Sequence, residues 1–161
     1  MPLEDVITKY AGLLKLVHTT RLEAGTFPSY KEKFLDHLEV IKNHLTEEQY
    51  DGLKKLLTKV GDDNTVVHGD IQMKNVMLSD GEAMLIDMDT LGLGNPVFEF
   101  AGLYVTYRLF EEDDPDNAMS FLGMTNEMVE EIWNRIVDAY FDPTDDARKN
   151  SILERIALVG A

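Results

Sequence analysis

The segment Ser79-Asp80-Gly81-Glu82 stands between two apolar runs, Val76-Met77-Leu78 and Ala83-Met84-Leu85-Ile86, and it restricts the fold more tightly than any other. Asp-Gly tolerates the positive φ angles of a tight hairpin turn, so the two runs are expected to pair as antiparallel strands. With the turn centred on Gly81, Val76 faces Ile86 and Asn75 lies opposite Asp87, their Cα atoms about 4.5–5.5 Å apart. An amide oxygen and a carboxylate then stand side by side. This hard, oxygen-only pair suits Mg²⁺ that also holds waters and substrate phosphates. Asp70 lies on the loop entering the hairpin, five residues before Asn75. A carboxylate placed there, close to a metal, can accept a proton from an attacking hydroxyl. Metal-bound phosphates and a separate carboxylate are what phosphoryl transfer requires.

Helical periodicity dominates elsewhere. Val6, Tyr10, Leu13, Leu14 and Val17 predict an amphipathic helix over residues 3–22. Ser29 with Glu32, and Thr46 with Gln49, are capping-box pairs that open two more helices, the second closed by Gly61. Thr65-Val66-Val67 reads as a short strand. After Leu91-Gly92-Leu93-Gly94 the helical period returns, with Pro96 at a first helical position and a helix from Phe98 to Phe110. The run Glu111-Glu112-Asp113-Asp114-Pro115-Asp116 reads as a solvated loop. Val129, Ile132, Trp133, Ile136, Val137 and Tyr140 stripe a helix over residues 126–141, ended by Asp142-Pro143. Ile152, Ile156 and Val159 mark a last helix. The expectation is one α+β domain, mainly helical, over residues 1–161: helical 1–60, loop and hairpin 61–95, helical 96–161.

Composition removes several function classes. Among 161 residues, 15 Lys+Arg face 30 Asp+Glu, a formal charge of −15, and no basic stripe offers the counterion release of nucleic-acid binding. The absence of cysteine excludes disulfides and thiolate zinc sites. Met1-Pro2-Leu3-Glu4-Asp5 lacks the regions of a signal peptide, and no apolar run approaches ~18 residues, so a cytoplasmic protein off the membrane is expected. The acidic excess would steer cationic substrates inward. His18, His37 and His44 are expected at the surface or at helix edges, and the methionines in the core.

The segment His68-Gly69-Asp70-Ile71-Gln72-Met73-Lys74-Asn75 resembles the protein-kinase catalytic loop, with its His, an Asp two residues on and an Asn five further. With Gly between His and Asp, and Ile86-Asp87 after the hairpin, it looks more like the aminoglycoside phosphotransferase and choline kinase family. Gly94-Asn95-Pro96-Val97-Phe98-Glu99-Phe100-Ala101 is similar to that family's Gly-Asp-Pro-x-x-Asp-Leu-Ala segment. Leu13-Leu14-Lys15-Leu16-Val17-His18 resembles the end of its helix leading into the C-terminal lobe. The resemblance spans residues 3–110. It implies the C-terminal lobe of a protein-kinase-like fold, with a small central hairpin that carries the site. Asp70 would be the catalytic base, Asn75 and Asp87 Mg²⁺ ligands, and His68 a scaffold residue bracing the loop. Asp89 is divided between supporting the metal or substrate and capping its own loop.

The sequence departs from the family pattern at Asn95 and Glu99, where the family usually has Asp. Gln72 stands where protein kinases carry Lys, and Lys74 is given no phosphate contact. The implied reaction transfers the γ-phosphoryl group of ATP to a hydroxyl of a small molecule. Aminoglycosides, choline-like alcohols, sugars and amino alcohols all stay open as acceptors. Nothing before residue 60 reads as strands, and no Gly-x-Gly-x-x-Gly occurs there, so nucleotide-binding residues are unassigned and the nucleotide-binding lobe is expected to be absent. The lobe alone is then expected to be nearly inactive, with a bared apolar face that invites self-association.

Two other readings compete. Leu85-Ile86-Asp87-Met88-Asp89 also resembles the haloacid-dehalogenase phosphatase motif, with Asp87 as nucleophile and Asp89 as acid. That fold needs alternating strands and helices after the motif, where helices alone are expected here. The other is a kinase-derived interaction module without catalysis, against which stand the intact Asp70, Asn75 and Asp87.

Overall fold

The computed structural model describes residues 2–141 and 146–160. α1 (Leu3–Thr19) buries Ile7, Tyr10, Ala11, Leu14 and His18, a stripe at helical spacing turned to the core. It ends before residue 22, because Thr20 turns extended and Arg21 bridges to Thr65. α2 (Tyr30–Ile41) begins at Ser29, whose side chain accepts from the Glu32 amide. α3 (Glu47–Lys59) begins at Thr46 with the full reciprocal box to Gln49. His37 and His44 are exposed as expected, but His18 is buried.

β1 (Val66–Val67) and β2 (Val76–Ser79) fall where the apolar runs predict strands. β3 (Glu82–Leu85) pairs antiparallel with β2, and β4 (Gly92–Leu93), unforeseen in the Gly-rich stretch, pairs antiparallel with β1. The hairpin register differs from expectation by one residue. Asp80 and Gly81 both have positive φ, 52° and 83°, so the two-residue turn is centred between them rather than on Gly81. Val76 therefore faces Leu85, and Asn75 lies opposite Ile86, whose N–H donates to the Asn75 carbonyl at 3.0 Å. Asp87 is one step beyond, and its direction is not set by this ladder.

α4 (Val97–Tyr104) follows Pro96 and buries Val97, Phe98, Glu99, Phe100, Ala101 and Leu103, so it is covered nearly all round and forms the central helix. The single helix expected to Phe110 is broken. A π-helical turn (Val105–Leu109) leads into α5 (Phe110–Asp113), and the acidic run begins inside that helix. A second π-helical turn (Ala118–Leu122) precedes α6 (Asn126–Tyr140), capped by Thr125. The expected stop at Asp142-Pro143 lies outside the described residues. α7 (Asp146–Gly160) packs on α4, and α6 on α1. The architecture is the mainly helical α+β arrangement read from the sequence, with short antiparallel ladders held among the helices.

The methionines are a correction. Met77, Met84, Met88, Met119 and Met128 are about half exposed rather than in the core. Three of them lie on the hairpin or the turn after it, where no described residue covers the outer face. No helix among the described residues is long and apolar enough to cross a membrane.

Candidate active site

Between β1 and β2 the chain must turn sharply beneath Tyr30. Gly69 does this at φ +84°, and a Cβ there would lie 1.5 Å from the Tyr30 hydroxyl, so only glycine fits between His68 and Asp70. The loop then presents Asp70 to two side-chain amides. Gln72 Nε2 donates to Oδ1, and Asn75 Nδ2 donates to Oδ2 at 2.9 Å and to the Asp70 carbonyl at 2.7 Å. Both Asn75 partners are acceptors, which fixes its amide orientation and leaves Oδ1 without a donor among the described residues. Asp70 and Asn75 are thus brought together as one unit, and Gln72, given no role by the sequence reading, joins them.

His68 is fully buried and neutral bonding accounts for its whole ring. Nδ1 accepts from the Asp70 amide at 3.3 Å, and Nε2 lies 3.2 Å from the Ile86 carbonyl, which assigns the proton to Nε2. The ring joins the loop to the hairpin exit, one residue before Asp87. The loop is held from below by Glu99 of α4, only 2% exposed, whose carboxylate accepts from the amides of His68 at 2.6 Å and Gly69 at 2.9 Å. Glu99 was read only as a departure from the family pattern. An acid inside the apolar run Val97-Phe98-Glu99-Phe100-Ala101 was the signal that it is buried with partners.

Three tyrosines complete the support, and each passes in the sequence for an apolar stripe residue. Tyr10 donates to the Ile71 carbonyl, Tyr107 accepts from the Met73 amide at 3.1 Å, and Tyr30 donates to the Thr90 carbonyl at 2.7 Å. Thr90 in turn donates to the His68 carbonyl at 2.6 Å. Burial pushes the Tyr10 and Tyr107 phenols up, and it raises Tyr30 to about 12 with Glu99 adding to the effect. These hydroxyls stay protonated well above neutral pH.

Asp87 adopts the left-handed conformation at φ 63°, ψ 63°. This costs a non-glycine residue roughly 1 kcal/mol and is the kind of local strain found at functional sites. Asp87 and Asp89 are both exposed, and neither carboxylate is hydrogen bonded or ion paired among the described residues. No described trio of His, Cys, Asp and Glu is close enough to hold a metal by itself. The donors that fit a hard cation are therefore few: the free Oδ1 of Asn75 and the open carboxylates of Asp87 and Asp89, with room left for phosphate oxygens and water. A hollow of about 30 Å³ lies under the loop, lined by Asp70, Gln72, Glu99 and Thr106, and has space for water only. A separate hollow of about 190 Å³, lined by Phe27, Lys31, Asp62, Asn95 and Phe98 among others, includes none of the predicted site residues.

The family model described as the phosphotransferase enzyme family matches residues 2–132, from α1 into α6 and including the whole of this loop and hairpin. The chain belongs to that family. Among solved structures it is similar to aminoglycoside phosphotransferase APH(2'')-Ib bound to ADP, at 16% identity and a TM-score of 0.42, covering 96% of this chain and 63% of that one. It is also similar to the streptomycin–ATP–APH(2'')-IIa ternary complex, at 15% identity and a TM-score of 0.43, covering 97% of this chain and 64% of that one. This family member thus spans a little under two thirds of the length of those structures. No curated protein sequence matches it.

Proposed function

We propose that this chain is the catalytic lobe of an ATP-dependent small-molecule kinase in which Asp70 takes the proton from the acceptor hydroxyl. The observation that carries the reading is the Asp70–Asn75–Gln72 unit, clamped by Glu99 beneath and tied by His68 to the residue before Asp87. A carboxylate offers about four acceptor positions, so Asp70 keeps lone pairs for a substrate hydroxyl after both amides have bonded to it. Asn75 and Asp87 would hold Mg²⁺, with Asp89 beside them. The ion would supply charge neutralisation on the phosphates. The protein's own part is positional: the loop orients Asp70, and the apolar face of Met77, Met84, Ile86 and Met88 offers a surface for a nucleotide base or a covering lobe.

The acidic surface supports a cationic acceptor of the aminoglycoside or amino-alcohol class. On this reading a nucleotide-binding lobe covers the hairpin in the working protein, and the lobe by itself transfers phosphate close to background. The phosphatase alternative lacks its scaffold, since β3 lies in an antiparallel hairpin and Asp87 is followed by a turn, the two-residue antiparallel β4 and then helices.

The deciding measurement is phosphoryl transfer from ATP to a panel of amino alcohols and aminoglycosides by the full-length protein, with Asp70→Asn as the paired variant. The variant should bind Mg²⁺–ATP normally in calorimetry while transfer falls about 10²–10⁴-fold. Undiminished transfer in Asp70→Asn, or an acyl phosphate trapped on Asp87, would overturn the assignment.

A further inference from the structure

The side chain of Tyr30 runs lengthwise through a slot of three glycines. A Cβ on Gly94 would stand 2.9 Å from the Tyr30 Cβ, and one on Gly92 would stand 2.6 Å from Cδ2 and Cε2 of the ring. A Cβ on Gly69 would overlap the hydroxyl. Carbon atoms in contact settle about 3.5–4.0 Å apart, so none of the three positions has room for a side chain while the ring is in place. Gly92 and Gly94 lack the positive φ of Gly69. Close approach, of this ring and at Gly92 also of the Pro28 carbonyl, is what their missing side chains serve.

The root of the side chain is fixed on the same strand. The Leu93 amide donates to the Pro28 carbonyl at 2.8 Å and Ser29 bridges to Leu93, so α2 sets out from β4. The ring is 4% exposed and stacks on Phe98, with 6.3 Å between centroids and 29° between planes. Its far end reaches two segments at once. The hydroxyl sits beneath Gly69 and donates to the Thr90 carbonyl at 2.7 Å, and the Thr90 hydroxyl donates to the His68 carbonyl at 2.6 Å. Thr90 closes the turn Met88–Thr90, which follows Asp87 and contains Asp89, while His68 and Gly69 lead directly into Asp70.

We infer that Tyr30 is a positioning residue for phosphoryl transfer, its side chain the spacer between the turn carrying Asp87 and Asp89 and the loop carrying Asp70. The role in transfer rests on the proposed reading of Asp70 as base and Asp87 as metal ligand; the coupling of the two segments does not. Such spacing matters to chemistry, since a displacement of about 1 Å in a positioned group can cost 10²-fold in rate.

The test uses the full-length protein and Tyr30→Phe, which keeps the ring and removes the hydroxyl. Two amides report on the two segments: Asp70, bonded to His68 Nδ1, and Leu91, bonded to the Met88 carbonyl. Both should exchange about tenfold faster in the variant, relative to amides of α6. Faster exchange at one alone, or at neither, would refute the coupling. In transfer assays the variant should lower kcat about tenfold while KM for the acceptor holds, and half-maximal rate should require several-fold more Mg²⁺. A fall in kcat with the Mg²⁺ requirement unchanged would overturn the positioning role, because a mere loss of folded protein lowers the rate at every Mg²⁺ concentration alike. Thr90→Val cuts the next bond and leaves the ring in place. The double variant should be no worse than either single one, and additive losses would show the contacts to act separately. Should Tyr30→Phe fail to fold, Thr90→Val carries the same comparisons. An unmutated protein that transfers no phosphate would defeat the proposed function, and exchange would then judge the coupling by itself.

Discussion

At Gly69 a single hydrogen in place of a side chain lets the loop pass under Tyr30. Its positive φ and the 1.5 Å approach of a would-be Cβ to the Tyr30 hydroxyl act together. Gly69→Ala must therefore both strain the backbone and push away the hydroxyl that holds Thr90. We expect a loss of about 2 kcal/mol or more in urea unfolding, one part from the left-handed backbone and one from the broken hydrogen bond. The loss should be non-additive with Tyr30→Phe, because the same bond is removed by either change. The motif His68-Gly69-Asp70 was visible in the sequence, but the reason for its middle residue was not. The clash is with a side chain 39 residues away, which periodicity places only as a member of a helical stripe.

The hairpin is the element on which the site turns. Its existence follows from Asp80-Gly81 between apolar runs, yet its register depends on whether the turn is centred on a residue or between two. Both turn residues adopt positive φ, which selects the two-residue turn and shifts the pairing by one. That shift places Ile86 rather than Asp87 opposite Asn75 and leaves the direction of Asp87 to its own left-handed conformation. Gly81→Ala, at φ +83° with open space around its missing Cβ, should cost about 1 kcal/mol through backbone strain alone. Thermal unfolding would read this as a fall in Tm of several degrees, with the fold retained. Gly52→Ala, in the exposed interior of α3, should instead raise Tm, and a rise at Gly81→Ala as well would show that the turn tolerates a side chain. The π-helical turn after α4 is a further element the sequence hid. It brings Tyr107 to the Met73 amide of the loop, and a 3.6-residue period read straight through that segment cannot show it.

Across the whole molecule the loop from His68 to Asn75 is held by groups from α1, α2, α4 and the π-helical turn, and the stability of the fold should follow the ionisation of its buried phenols. Tyr30 on α2 and Tyr140 on α6 have phenols raised from 10.0 to about 12, mainly by burial and then by the charge of Glu99. A phenol with a raised folded-state value keeps its proton in the native protein while the unfolded chain loses it. The contribution is thus intact below pH 10 and lost as the pH rises through about 12. Unfolding free energy measured from pH 9 upward should fall across that window while phenolate absorbance rises. Tyr30→Phe and Tyr140→Phe should each flatten the fall. A stability flat to pH 12 would show these hydroxyls to be solvated rather than built into the core.

Local chemistry determined much of this protein before any coordinates. Caps and apolar stripes set the helices, Asp-Gly set the hairpin, and the spacing of His68, Asp70 and Asn75 set the loop, because each is governed by neighbours within a few residues. Tertiary packing alone decided the rest. Burial of His18 and Glu99, the three tyrosine hydroxyls at the loop, the outward methionines and the one-step register all depend on segments far apart in the chain. Those distances become contacts only when the helices close around α4, and no periodicity within one segment encodes what another will press against it.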